Sequence, residues 1–189
     1  MAGSVGGDER LRLFLGIRLP AGAVETLADW QARELGGVGE NVRIVPRENL
    51  HVTLAFLGSR PVGELPAILD VLRRASADAE PLRFDVTGYR ETRSVGMLTL
   101  EEASGSGAEL AGRVQAELAE LGVYRPEARP WLPHVTVLRF RERPRLHPES
   151  PTLGWMSSDA AAFLSRLHPS GARYTAPKYV LLESFRLGG

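Results

Sequence analysis

The sequence predicts an α+β fold of two pseudo-symmetric lobes, each an antiparallel sheet with helices on its outer face, with two His-x-Thr strands lining a central cleft. Three observations carry this expectation. Strand-like and helix-like hydrophobic patterns alternate along the 189 residues. Two apolar runs hold the same tripeptide, in His51-Val52-Thr53-Leu54 and His134-Val135-Thr136-Val137. The order strand, helix, His-x-Thr strand occurs in both halves, with the histidines 134 − 51 = 83 positions apart.

Leu11 to Ile17 reads as a strand, because Leu11, Leu13, Leu15 and Ile17 alternate onto one face. Leu19-Pro20 ends it. A helix from about Ala21 to Leu35 carries Val24, Leu27, Ala28 and Leu35 and stops at Gly36-Gly37. Val42 to Val45 is a short strand, Pro46 to Asn49 a turn, and Leu50 to Leu57 the first His strand, closed by Gly58. Leu65, Ile68, Leu69 and Leu72 recur at the spacing of one helical face. Leu82 to Val86 and Gly96 to Leu100 read as paired strands. Leu110, Val114, Leu118 and Leu121 mark a third helix ended by Gly122, and His134 to Phe140 is the second His strand. The tract from Arg141 to Pro177, punctuated by five prolines, reads as loop with one helical piece from Ser158, an N-cap, to Leu167. His147 and His168 lie in it, each followed by Pro, and read as loop histidines. Lys178 to Phe185 is a last strand. Residues 1–10 are Gly-rich and expected to be a disordered tail, leaving 11–189 as a single domain of two lobes.

Composition narrows the function. There is no Cys, so a thiolate nucleophile, a disulfide framework and a Cys-ligated zinc are excluded. No apolar run reaches the length of a membrane span and the first ten residues lack a signal-peptide core, so the expectation is a cytoplasmic monomer without membrane contact. With 23 basic and 23 acidic residues the chain has no net field to attract nucleic acid, so an anion must be held locally.

In a strand, side chains alternate faces, so His51 and Thr53 emerge on one side while Val52 and Leu54 enter a core, and His134 and Thr136 do the same against Val135 and Val137. Two facing imidazoles, titrating near neutrality, can serve as a general base and a general acid on opposite sides of one reacting centre. Two hydroxyls can bond the non-bridging oxygens of a tetrahedral anion between them. In-line cleavage of a phosphoester asks for this layout. The residues alone leave two other uses open: a metal-dependent hydrolase with the histidines as ligands, although no carboxylate stands at ligand spacing, and a non-catalytic module that binds RNA ends or nucleotides.

Leu50-His51-Val52-Thr53-Leu54-Ala55-Phe56-Leu57-Gly58 and Pro133-His134-Val135-Thr136-Val137-Leu138-Arg139 resemble the paired motifs of the 2H phosphoesterase superfamily, and most closely its LigT-like RNA 2',3'-cyclic phosphodiesterase branch, first described as 2'-5' RNA ligases. The similarity extends to residues 12–20, to Val45-Pro46-Arg47-Glu48-Asn49 and to Leu182-Glu183-Ser184. The resemblance implies hydrolysis of a 2',3'-cyclic phosphate, on an RNA end or a small cyclic nucleotide, to a 2'-phosphate without metal or other cofactor. It implies that His51 is the proton donor, His134 the proton acceptor, and Thr53, Thr136 and Arg139 phosphate-binding groups. Trp131 matches an aromatic before Pro-His and is a base-stacking candidate. Ile44 stands where relatives often carry Trp. Strict alternation puts Arg139 on the face opposite His134, so it reaches the cleft only through a bulge or from the strand end.

Overall fold

The computed structural model describes residues 9–39, 41–166 and 178–189. Its elements are β1 (Arg10–Arg18), α1 (Ala21–Leu35), β2 (Val42–Ile44), β3 (His51–Pro61), α2 (Leu65–Ala77), β4 (Leu82–Glu91), β5 (Val95–Glu101), α3 (Ser106–Glu120), β6 (His134–Phe140), β7 (Gly154–Ser157), β8 (Asp159–Arg166) and β9 (Lys178–Arg186). The strands run β7-β4-β5-β6-β3-β1-β8-β9, with β2 also on β6, and every pairing is antiparallel. The two expected lobes are β7-β4-β5-β6 with β2, and β3-β1-β8-β9. They meet at the seam between β3 and β6, where Val52 pairs with Val135.

The apolar face of both lobes packs under the helices. Leu13, Leu15 and Ile17 of β1, Val52 and Leu54 of β3, and Val135 and Val137 of β6 are buried together with Leu27, Trp30, Ile68, Leu72, Leu110 and Val114 from the three helices. Each such side chain contributes roughly 1.5–3 kcal/mol by leaving water. α2 and α3 pack on each other and on β8, β9 and β3. On the other lobe α1 is fastened by Gln31 to the carbonyls of Val45 and Val137. No helix among the described residues is long and apolar enough to cross a membrane.

Two expectations fail in the C-terminal third. The helical piece expected from Ser158 is strand β8, hydrogen-bonded between β1 and β9. Ala160, Ala161 and Ala162 favour helix locally, but here they are buried in a strand paired on both sides, and tertiary pairing overrides propensity. The four-residue β7 was too short to show a pattern. Residues 1–8 and His168 lie outside the described residues. Residues 9 and 10, expected in the tail, are held in the sheet: the Glu9 carbonyl accepts from Val62 N–H and Arg10 begins β1. The first His strand also passes beyond Gly58, which sits at φ 66° within it, and continues to Pro61.

His147 is exposed in a coil, as expected. That coil is pinned rather than loose: the buried Glu91 carboxylate accepts from Tyr89 Oη, Arg143 Nε and the backbone N–H groups of Arg145 and Leu146, while Trp30 Nε1 donates to the Glu149 carbonyl at 2.7 Å.

Candidate active site

The Val52–Val135 pair sets the site. In an antiparallel register 52 + 135 = 51 + 136 = 53 + 134, so His51 falls across from Thr136 and Thr53 across from His134. All four are half-buried, on the face away from the helices. A local twofold axis therefore passes between the two valines.

Both imidazoles are held in the same way. His51 Nδ1 lies 2.7 Å from the carbonyl of Asn49, and His134 Nδ1 lies 2.8 Å from the carbonyl of Leu132, in each case two residues upstream. A carbonyl only accepts, so each Nδ1 carries the proton and each Nε2 is the nitrogen left to do chemistry. For His51 the carbonyl is presented by the 3-10 turn Arg47–Asn49, and Asn49 Oδ1 in turn accepts from Tyr179 N–H, which ties the turn to β9. His51 Nε2 is 3.1 Å from Thr53 Oγ1.

The surroundings of His51 are apolar. Its ring packs against Phe14, with centroids 4.6 Å apart, against Tyr179 edge-on at 5.5 Å, and near Phe163 at 5.9 Å. Burial pushes its pKa down to about 4; the Asn49 carbonyl opposes this, while the charges of Arg139 and His134 add to it. Gly16, across from Thr53 on β1, is small of necessity: a Cβ there would lie 2.9 Å from the Val52 carbonyl oxygen and 3.3 Å from His51 Cδ2.

Arg139 reaches the cleft through a bulge. β5 advances one residue from Gly96 to Met97 while β6 retreats two, from Leu138 to Thr136, so Val137 is an extra residue. Val137 and Leu138 are consequently both buried, and the alternation resumes with Arg139 on the His134 face. Its charge is felt by His51.

A second guanidinium, that of Arg43, stands directly across from Arg139 on β2. Burial, and then the neighbouring Arg139, pull its pKa down. Phe56 is brought onto the same face by an equivalent bulge in β3 and is 51% exposed. Sequence reasoning missed both. Phe56 could have been found by laying His51-Val52-Thr53-Leu54-Ala55-Phe56 over His134-Val135-Thr136-Val137-Leu138-Arg139, which puts the phenyl at the arginine's position; Arg43 carries no signal beyond its charge in a short strand.

Trp131 has a structural bond as well as a face on the site. Its Nε1 donates to the Thr53 carbonyl at 2.9 Å, its Cζ3 edge rests where a side chain at position 107 would go, and it lines a cavity of about 280 Å³ with Thr53, Phe56, Met97, Tyr124 and His134. Ile44 packs against the core. Among the described residues no three His, Cys, Asp or Glu side chains cluster in a way that could hold a metal.

Comparison with known proteins agrees with this geometry. The family model of the 2'-5' RNA ligase superfamily matches residues 20–166. An RNA 2',3'-cyclic phosphodiesterase of Thermus thermophilus is 32% identical over 188 residues, covering 95% of this chain and 91% of its own. The Escherichia coli protein of the same name is 28% identical over 172 residues, covering 90% of this chain and 96% of its own. The crystal structure of the Thermus thermophilus protein TT0787 superposes with a TM-score of 0.78 at 30% identity, over 95% of this chain and 99% of that one.

Proposed function

The chain belongs to the 2'-5' RNA ligase superfamily, the group of 2H phosphoesterases, and from that premise we propose that it hydrolyses the 2',3'-cyclic phosphate of an RNA end to a 2'-phosphate, using two histidines and no metal. It is a phosphodiesterase hydrolase. The observation that carries the mechanism is the mirrored tethering of His51 and His134, which fixes both rings by Nδ1 and leaves both Nε2 atoms for proton transfer.

The cyclic phosphate sits between the rings. His134 Nε2 takes a proton from water as the water oxygen bonds to phosphorus; the bond from phosphorus to the 3' oxygen breaks, and that oxygen takes a proton from His51 Nε2. The products are a 2'-phosphate monoester and a free 3'-hydroxyl. Thr53, Thr136 and Arg139 bind the non-bridging oxygens, where the charge is spread in an in-line transfer. Trp131 offers an aromatic face to a base.

His51 is neutral in the free protein, with the Thr53 hydroxyl donating to its Nε2. An incoming phosphate monoanion takes over that hydroxyl and favours a protonated imidazole, which loads the acid only when substrate is present. Residues 11–189 act as one domain of two lobes, with the RNA end bound between them, and one copy of the chain carries the whole site.

The test is a panel of 2',3'-cyclic mononucleotides and oligoribonucleotides ending in a cyclic phosphate, each assayed with excess EDTA. The expected outcome is turnover undiminished by chelator, with the phosphate on the 2' oxygen of the product and the oligonucleotides preferred. Loss of turnover in EDTA that zinc or manganese restores overturns the metal-free mechanism, and a 3'-phosphate product overturns the assignment of the leaving oxygen.

A further inference from the structure

The twofold relation of the motifs extends one layer outward, to a pair of glutamines. In β3 the register passes from Leu15↔Ala55 to Gly16↔Thr53, so Leu54 is an extra residue just as Val137 is in β6. The carbonyl of each bulged residue receives a side-chain amide from a helix. Gln115 Nε2 of α3 donates to the Leu54 carbonyl at 2.8 Å, and Gln31 Nε2 of α1 donates to the Val137 carbonyl at 3.1 Å. The glutamines are 115 − 31 = 84 positions apart and the bulged residues 137 − 54 = 83, the spacing of the histidines to within one residue.

An amide in an apolar interior is costly unless it is bonded, and Gln31 is 4% exposed among core side chains. Its amide nitrogen also meets the Val45 carbonyl at 3.0 Å, and the Val45 N–H bonds the same Val137 oxygen at 2.9 Å. The bulge, the end of β2 and α1 are thus locked together. What the two bulges have in common is their effect: after Leu54 and Ala55, both buried, Phe56 returns to the His51 face, and after Val137 and Leu138, both buried, Arg139 returns to the His134 face. Without its extra residue, each strand would send this side chain into the core.

We propose that Gln31 and Gln115 are positioning residues that hold the two bulges and thereby aim Arg139 and Phe56 into the cleft. The proposal rests on the reading of the cleft given above. It makes the sixth position of both motifs, counted from the histidine, a specificity position. There one lobe presents a guanidinium that draws the phosphate oxygens to its side. The other presents an uncharged phenyl ring, with the Arg12 guanidinium 5.3 Å above it.

Gln31→Met and Gln115→Met keep the side-chain volume and remove the donor, and double-mutant cycles with Arg139→Ala and Phe56→Ala test which partner each serves. With 2',3'-cyclic AMP as substrate, Gln31→Met should raise KM on the order of tenfold with a smaller change in kcat, the worth of one charge-assisted hydrogen bond. In the Arg139→Ala background it should change little more. Gln115→Met should couple to Phe56→Ala and not to Arg139→Ala. A second readout needs no turnover. Because Arg139 depresses the His51 titration, Gln31→Met should raise the His51 midpoint seen by NMR in the same direction as Arg139→Ala does, while Gln115→Met should not. Additive effects in both cycles, with an unmoved His51 midpoint, overturn the proposal. If 2',3'-cyclic AMP and the oligonucleotides are not turned over at all, the proposed function fails, and the NMR titration still decides the role of Gln31. Should Gln31→Met not fold, the half-buried Gln115 and its cycle with Phe56 decide alone.

Discussion

His51 Nε2 and Thr53 Oγ1 lie 3.1 Å apart on one strand, so the group proposed as the acid and a group proposed to bind phosphate satisfy each other before substrate arrives. Burial favours the neutral ring, and with Nδ1 donating to Asn49 its Nε2 is then the acceptor for the hydroxyl.

The titration of His51 follows directly. By NMR the free protein should show a midpoint near 4, and saturation with inorganic phosphate should move it upward as the anion replaces the hydroxyl. A free-protein midpoint near 6.5, the ordinary value, would remove the apolar environment from the account.

Stability should carry the same signature. The folded pKa of His51 is below the unfolded value, so the unfolded chain binds the extra proton and the contribution of His51 is fully present only above about pH 6.5. It should be lost as pH falls from there toward 4, by up to roughly 3 kcal/mol. Urea midpoints across that range should flatten in His51→Gln; parallel curves for the two proteins would contradict this.

Gly16→Ala places a methyl group against a backbone oxygen that cannot step aside and against the His51 ring. Denaturation should show a loss of about 1–3 kcal/mol, the usual range for overpacking. Turnover should fall further than the fraction folded accounts for. Unchanged turnover in a folded variant would mean that the His51 ring tolerates displacement.

Both histidines should matter to rate beyond any change in the fraction folded. His51→Ala and His134→Ala should each lower kcat on the order of a hundredfold to ten-thousandfold, and the double variant should lose far less than the product, because the two act as a unit. Near-normal activity in folded variants would sink the assignment.

Much of this was legible in the sequence, and the reasons differ from element to element. The His-x-Thr strands could be read because period-two alternation sorts four residues without help from the rest of the fold, and α1 because Pro20 and Gly36 bracket an amphipathic run. Arg139 could be placed only conditionally, since a bulge is a property of the pairing of β5 with β6 and leaves no mark in β6 alone. Phe56 and Gln115 were missed for the same reason. β8 was misread because a run of alanines follows local propensity until long-range pairing with β1 and β9 decides otherwise.

The division of labour between the histidines is the central claim, and a change of leaving group tests it most directly. From a 4-nitrophenyl phosphodiester the nitrophenolate departs as a stable anion and needs no acid, whereas the attacking water still needs a base. His51→Ala should therefore regain much of its lost rate on the nitrophenyl substrate relative to a 2',3'-cyclic nucleotide, and His134→Ala should regain none. Rescue of His134→Ala with His51→Ala left inactive would contradict the account and exchange the two roles.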